Sequence, residues 1–308
     1  MPDYKTLRSG GAAIGPGGSV RWRSRSAREW TAGTTDGTDE SGMAQRQAEA
    51  SDRTLRSRFE CKYIISPMIV AEVREFIRPF MKPDRFAAMR EDYRYPICSL
   101  YLDSEDLRLY HQTEGGHRDR YKLRIRTYSD DPATPAFLEV KNRINTIVRK
   151  NRVRLERQWV PSLLGLTTDD APTPPTEALD TMAYFRHQMA FARARPVVRV
   201  RYMREAYESR GDDPVRITLD TQLRHAVTMD DNLSHEDGRW VSTPTPGTIL
   251  ELKFTERYPS FIRDIVRVFG LMQQAVPKYV WSMEHVLHGG REATFGLDGV
   301  ELPPMRTS

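Results

Sequence analysis

The sequence predicts an α+β fold in which antiparallel strands curl into a barrel tunnel with a charged lumen and helices pack on its outside. The first observation is the segment 121–128, in which Lys122, Arg124 and Arg126 alternate with apolar residues. Side chains alternate faces along a strand, so these three bases share one face. The second observation is that the same alternation recurs in five other segments. One such strand alone is most simply a core strand with its polar face in water, whereas six of them predict a sheet whose charged face curls onto itself.

Taken together, the six segments carry more bases than acids on the face that holds their charged side chains. They are residues 59–64, 121–128, 137–141, 148–155, 215–220 and 249–254. The charged side chains that we consider as candidate site residues are Glu60, Lys62, Lys122, Arg124, Arg126, Glu139, Lys141, Lys150, Arg152, Arg216, Glu251 and Lys253. A sheet that curls toward this face encloses a lumen with an excess of positive charge.

A lumen lined by bases favours an elongated polyanion. Like charges in a low-dielectric channel repel strongly unless a counter-charge arrives. Phosphate suits such a site, because arginine offers paired planar donors and lysine a compact positive charge. Three carboxylates, Glu60, Glu139 and Glu251, lie among the bases, and hard oxygen ligands of this kind suit Mg²⁺ or Mn²⁺. The alternative interpretation is internal ion pairing, of Glu60 with Lys62 or of Glu251 with Lys253.

The motifs occur in the order found in a known family. They are Glu60-x-Lys62-Tyr63, Lys122-x-Arg124-x-Arg126, Leu138-Glu139-Val140-Lys141, Lys150-x-Arg152, Tyr202-x-Arg204-x-Ala206, Val215-Arg216-Ile217-Thr218-Leu219-Asp220, Leu250-Glu251-Leu252-Lys253 and Pro277-Lys278-Tyr279. Each motif alone is weak. The ordered series, from about Arg58 to about His288, resembles the catalytic domain of the vacuolar transporter chaperone (VTC), which belongs to the triphosphate tunnel metalloenzyme superfamily.

This resemblance implies a metal-dependent polyphosphate polymerase that transfers the terminal phosphoryl group of ATP to a growing polyphosphate chain inside the tunnel. It implies Mn²⁺ or Mg²⁺ as the cofactor, bound by Glu251, with Glu60 and Glu139 as further candidate ligands. The candidate catalytic residues are Lys62, Arg124, Arg126, Lys141, Lys150, Arg204, Arg216 and Lys278. The candidate substrate-binding residues are Lys122, Arg152 and Lys253.

One departure from the family pattern leaves alternatives open. The family usually has Ser-Lys-Tyr or Ser-Lys-Phe where this chain has Pro277-Lys278-Tyr279, so the lysine is kept while a hydroxyl that could bind phosphate is lost. Two alternatives to a polymerase therefore stand. One is a triphosphatase or nucleotide hydrolase of the same tunnel fold, and the other is a module that binds polyphosphate or nucleotide without turnover.

Three parts of the chain are expected. Residues 1–55 are rich in Gly, Ser, Thr and Asp and have too few aliphatic residues to order themselves, so we predict a disordered leader. Met43 is an alternative start. Residues 56–290 form the tunnel domain, and 291–308 form a tail. The basic cluster at 21–25 is most simply a solvated run, and we expect no nucleic-acid partner.

Helices are predicted between the strands. Ser66 and Pro67 favour a helix start, and the apolar spacing continues to about Met81. Further helices are expected over 178–191, where apolar residues follow one face, and from Pro259 to about residue 269, with Gly270 as the stop.

Several single residues have expected roles. Asp103 is expected to cap the turn that follows its strand, with a place beside the metal as the alternative, and His117 is expected to be an exposed loop residue. A strand is predicted over 196–202. Arg199 and Arg201 have the opposite parity to Arg204, so we expect them to face solvent.

Composition bears on the partners and the cellular location of the protein. The chain has 308 residues, a net charge of +5 and 29% charged residues, which is compatible with anionic partners. Its two cysteines form neither a disulfide framework nor a zinc site, so a reducing, cytoplasmic location is expected. The sequence has no apolar run of about twenty residues, so coupling to membrane export would need a partner protein in the membrane.

Overall fold

The computed structural model describes residues 58–145, 147–167, 179–211, 214–255 and 258–289. The predicted leader over 1–55 and the predicted tail over 291–308 lie outside these residues.

One antiparallel sheet dominates the described part of the chain. It has ten strands, which are β1 (Arg58–Ile65), β2 (Met81–Pro83), β3 (Arg94–Asp103), β4 (Arg120–Thr127), β5 (Ala136–Ile144), β6 (Ile147–Leu155), β7 (Arg195–Ser209), β8 (Arg216–Val227), β9 (Val241–Ser242) and β10 (Thr248–Thr255). The strand order is β1-β10-β8-β7-β3-β4-β5-β6, with β2 paired to β7 and β9 to β8. All six predicted strands are therefore confirmed.

The sheet curls into a half-barrel, and β1 and β6 are its end strands. Side chains connect the two halves across the concave face. The Glu60 carboxylate on β1 lies 3.4 Å from the Lys141 ammonium group on β5. The predicted antiparallel sheet with a charged inner face is thus present, and ionic contacts supplement its backbone ladder.

Six α-helices accompany the sheet in the described residues. They are α1 (Val70–Ile77), α2 (Arg108–Glu114), α3 (Val160–Leu163), α4 (Leu179–Ala192), α5 (Ser260–Val268) and α6 (Lys278–Leu287). No helix in the described ranges has the length and apolar character needed to cross a membrane.

The first predicted helix starts as expected and ends early. The Ser66 hydroxyl accepts a hydrogen bond from the Met68 amide at 3.3 Å, and Pro67 opens a short 3-10 turn that leads into α1. The helix ends at Ile77 rather than near Met81, because Met81 begins β2 and pairs there with β7.

The aliphatic side chains, which share the other face of the strands, form the core under the outer helices. Leu123, Ile125 and Leu138 are fully buried and belong to one cluster with Phe185 of α4. A second cluster packs β1, β8 and β10 against α1 and α5. Because these aliphatic side chains are buried on the convex side, the charged side chains lie on the concave side, as the alternation predicts.

The helix α6 packs on the concave side of the sheet. The ring of Tyr279 stacks on Tyr101 with centroids 4.6 Å apart, and the Tyr101 hydroxyl accepts from Arg124. Tyr279 therefore lies on the same face as the bases. This helix fills part of the concavity with apolar side chains and places Lys278 beside the sheet.

The expectation that Arg199 and Arg201 face solvent is wrong. Both side chains lie on the convex face, as their parity requires, but both are buried. The connection after β8 covers them: the Arg199 guanidinium donates to the Asn232 side chain at 2.9 Å, pairs with Asp237, and lies 4.8 Å from the ring centroid of Trp240. A loop that folds back over the strand thus replaces water.

We expect Arg199→Ala to lower the free energy of unfolding by about 3 kcal/mol, because it removes a fully buried side chain and leaves the Asn232 side chain and the Ser234 carbonyl without their donor. Urea unfolding followed by circular dichroism measures the change. Arg224→Ala, an exposed arginine on the neighbouring strand, is the control and should change stability by less than about 0.5 kcal/mol. Equal stability of both variants would contradict the structural role of Arg199.

Candidate functional site

The concave face brings the predicted site residues, except Arg216, into four ionic clusters. Each cluster is organised around a different set of carboxylates or lysines and is built from facing positions on adjacent strands. Within the described residues, every predicted base on this face except Lys122 contacts a carboxylate.

Glu139 is the centre of the first cluster, on β5 between β4 and β6. Its carboxylate is 1% exposed and lies 2.6 Å from Arg124 Nε and 2.7 Å from Lys150 Nζ. Arg152 Nε is 3.5 Å away and Arg126 Nε 4.0 Å. Burial acts to raise the pKa of Glu139, but the charges of these bases outweigh it and hold the pKa far below its usual range. Four bases share one carboxylate, so the cluster keeps positive charge for an added anion.

The second cluster is a row of lysines on adjacent strands. Lys141 on β5 faces Lys122 on β4 and Lys150 on β6. Burial lowers the pKa of Lys122 to about 7 and of Lys141 and Lys150 to about 8, and neighbouring bases act in the same direction. Like charges placed opposite one another destabilise a sheet. A polyanion bound here would relieve that repulsion.

The third cluster lies on β1 and β10 and contains the two other predicted metal ligands. Glu60 pairs with Lys62, and the Lys253 ammonium group is 3.7 Å from Glu60 and also pairs with Glu251. The ion pairs expected as the alternative are therefore present. Burial lowers the pKa of Lys62 to about 7. Burial acts to raise the pKa of Glu251, but Lys253 and Lys62 outweigh it and hold the pKa well below its usual range.

Asp220 holds the fourth cluster together and was not among the predicted site residues. It accepts two hydrogen bonds from Arg204, at 2.6 and 2.8 Å, and lies 2.9 Å from Lys278 Nζ. Burial acts to raise the pKa of Asp220, while Arg204 and Lys278 lower it further than burial raises it. Asp220 ends the Arg-Ile-Thr-Leu-Asp motif, which was the available signal for it.

Lys278 is positioned by the start of α6. It is the first residue of the helix, and Pro277 is the N-terminal cap residue, with no side-chain capping hydrogen bond. The carbonyl of Pro277 accepts from the Trp281 amide at 3.1 Å. The proline that replaces the family's usual serine therefore starts the helix while the lysine still reaches Asp220.

Arg216 is held by Asp84, a second residue that the motifs did not indicate. Arg216 Nη2 donates to Asp84 Oδ2 at 2.7 Å and to the Tyr95 hydroxyl at 3.3 Å. The other carboxylate oxygen of Asp84 accepts from the backbone amides of Phe86 and Ala87. Asp84 lies far from Arg216 in sequence, so no local pattern connects the two.

Asp103 has the capping role that was expected. Its carboxylate accepts from the backbone amides of Leu109 and Tyr110, each at 2.8 Å, and from the Tyr279 hydroxyl at 2.6 Å. It thereby fastens α2 and α6 to the end of β3. His117 is exposed, as predicted.

The three predicted metal ligands differ in how well they fit a divalent cation. Within the ranges that the structure describes, no group of three or more His, Cys, Asp or Glu side chains is arranged to hold a metal ion. Mg²⁺ is usually bound by one or two carboxylates together with substrate phosphates. Glu60 and Glu251 contact the same lysine and fit that pattern, whereas Glu139 is already surrounded by four bases and fits a counter-ion role.

The fold and the site define a protein in which a curled antiparallel sheet presents a basic concave face. The model of the VTC domain matches residues 57–287, about three quarters of the chain. The chain belongs to the VTC domain family.

Solved structures with a similar arrangement include two microbial proteins. A protein of Bacillus halodurans, provisionally described as an adenylate cyclase, is 11% identical, with a TM-score of 0.40 over 72% of this chain and 94% of that chain. The PH1819 protein of Pyrococcus horikoshii OT3 is 16% identical, with a TM-score of 0.37 over 76% of this chain and 99% of that chain.

We expect binding of inorganic tripolyphosphate to take up protons near pH 8. The lowered pKa values of the four lysines rise again when an anion neutralises their repulsion, so the complex holds more protons than the free protein. Affinity should therefore fall as pH rises from 7 to 9, a range in which a terminal phosphate with a pKa of about 6 is already ionised.

Calorimetry at pH 8 in buffers of different ionisation enthalpy measures this uptake, which we expect to be on the order of one to three protons. Lys122→Met should reduce it. Proton release, or affinity independent of pH, would show that these lysines do not contact the anion.

Proposed function

We propose that this protein is a metal-dependent polyphosphate polymerase, which transfers the terminal phosphoryl group of ATP to a growing polyphosphate chain along its concave basic face. Membership of the VTC domain family supports a polyphosphate-related activity. The observation that carries the proposal is the excess of bases over carboxylates on one concave face, above all the row Lys122, Lys141 and Lys150.

The arrangement suits phosphoryl transfer without a covalent intermediate. This reaction requires mainly in-line positioning of the reactants and neutralisation of the phosphate oxygens. Arg124 and Arg126 supply preorganised donors beside Glu139, and Arg204 and Lys278 do so beside Asp220. The carboxylates keep these bases oriented before the substrate arrives, which avoids reorganisation during the reaction.

A divalent cation, Mn²⁺ or Mg²⁺, would be held by Glu251 and Glu60 together with phosphate oxygens. When bound, such an ion neutralises charge that develops on the transferred group. The arginines of the chain would orient the phosphates. The lysines would neutralise the charge of the bound phosphates and take up protons as they do so. Export of the product through a membrane partner stays a prediction.

The test is incubation of the full chain with ATP and Mn²⁺ or Mg²⁺, with the products separated on a gel. The proposal expects chains that lengthen with time and disappear on treatment with a polyphosphatase. Release of orthophosphate without chains would identify a hydrolase, and retention of ATP without turnover would identify a binding module. Either result would overturn the polymerase proposal. Arg224→Ala, a change on the opposite face of the sheet, is the control and should leave the product pattern unchanged.

A further inference from the structure

Three aromatic rings lie at one end of the basic face, and the phosphate chemistry does not require them. We call Phe86, Tyr128 and Phe137 the aromatic shelf. The rings of Phe86 and Tyr128 are parallel to within 7°, with centroids 6.4 Å apart, and the ring of Phe137 meets Tyr128 edge to face at 5.7 Å. Phe86 is 48% exposed, and the guanidinium carbon of Arg85 lies 4.5 Å from its ring centroid, so an accessible aromatic ring with one arginine over it lies beside the charged concavity.

The shelf continues directly from the Glu139 cluster. On β4 and β5, Arg126 faces Phe137 and Arg124 faces Glu139, one row further along the same face. Arg152 touches both groups: its guanidinium carbon lies 3.8 Å from the Phe137 ring centroid, and its Nε lies 3.5 Å from Glu139. A ligand that spans both would combine a planar apolar part with an anionic part.

The loop that carries Phe86 is tied to a second base of the site. Asp84 accepts from the Phe86 amide at 3.1 Å through one oxygen and from Arg216 at 2.7 Å through the other. Asp84 is 2% exposed. This buried carboxylate fixes the position of the ring relative to Arg216, so the shelf is preorganised rather than a chance surface contact.

We infer that the aromatic shelf stacks on the nucleobase of the nucleoside triphosphate. The inference rests on the proposed function, because it supplies the base-binding part of the same nucleotide site. Aromatic side chains stack on any base, since every base has a π face. With the base on the shelf, the triphosphate extends along β4 and β5 past Arg126 and Arg124 toward the row of lysines. The nucleotide is then held with a defined direction.

The test compares a ligand that has a base with one that has none. Affinities of a non-hydrolysable ATP analogue and of inorganic tripolyphosphate are measured by calorimetry for the full chain. We expect Phe86→Ala to weaken binding of the analogue about tenfold and to change tripolyphosphate affinity less than about twofold. Phe86→Tyr keeps a ring at this position and should retain the wild-type affinity for the analogue.

Phe191 provides a matched control on α4. It is 61% exposed, and an arginine, Arg108, also lies over its ring, so Phe191→Ala should change neither affinity. Equal losses of both ligands in Phe86→Ala, or no loss of the analogue, would overturn the stacking role and leave the phosphate site standing. Failure of the wild-type chain to bind either ligand would instead overturn the proposed function, and the stacking role with it.

Discussion

Arg124→Ala should weaken tripolyphosphate binding by about 100-fold or more, because loss of one member of a desolvated charge pair costs several kcal/mol. Arg124 donates to Glu139 at 2.6 Å and to the Tyr101 hydroxyl at 3.2 Å. Burial acts to lower its pKa, but Glu139 and Tyr101 outweigh it and raise the pKa, so the guanidinium stays charged. Its removal takes a preorganised donor from the centre of the basic face and leaves Glu139 with more uncompensated negative charge.

Calorimetric titration with tripolyphosphate measures this loss. Arg124→Lys keeps the charge but not the planar paired donors, so it should fall between wild type and Arg124→Ala. Thermal unfolding of each variant separates loss of binding from loss of fold. Affinity of Arg124→Ala within about threefold of wild type would remove Arg124 from the site.

Glu251→Gln should change binding and turnover in opposite directions. The substitution removes a buried negative charge beside Lys253 and Lys62, which makes the concavity more positive, so tripolyphosphate binding should be retained or strengthened. Turnover should fall by about 100-fold or more, because the neutral amide is a poorer ligand for a hard divalent cation and one of the two carboxylates of that site is lost.

Initial rates of ATP consumption as a function of Mn²⁺ concentration test this separation of effects. Glu75→Gln is the matched control: Glu75 is an exposed carboxylate on the outer helix α1, where it pairs with Arg78, so rates should stay near wild type. Loss of tripolyphosphate binding in Glu251→Gln, or undiminished Mn²⁺-dependent turnover, would show that Glu251 is not a metal ligand.

The fold could be predicted from the sequence because a period of two separates charged from aliphatic side chains over several strands. Where Leu123 and Ile125 must be buried, Lys122, Arg124 and Arg126 must face the other way. This constraint needs no knowledge of the partner strands. It therefore indicates which residues share the concave face, although not which of them contact one another.

Parity does not determine exposure, and the error at Arg199 and Arg201 shows this. Their parity correctly placed them on the convex face, but nothing local indicates that Asn232, Asp237 and Trp240 fold back over that face. The end of α1 was missed for a related reason. The apolar spacing continues past Ile77, but pairing with β7 overrides it at Met81.

The acidic partners of Arg216 and Lys278 could not be assigned from the sequence. Asp84 and Arg216 are separated by 132 positions, and Asp220 meets Lys278 only because α6 packs on the concave side. Such pairs depend on how the chain returns to the sheet, which no short motif records. The motifs therefore indicated which bases share the concave face, but not the pairs that Asp84 and Asp220 form with Arg216 and Lys278.

The most direct test of the phosphate site is a crystal structure of the full chain with bound inorganic tripolyphosphate. We expect the anion to lie on the concave face, within hydrogen-bonding distance of Arg124, Arg126 and Lys141, with Glu251 close enough to share a cation with it. An anion bound only on the convex face, with the concave bases still paired to their carboxylates, would contradict the assignment of this concavity as the phosphate site.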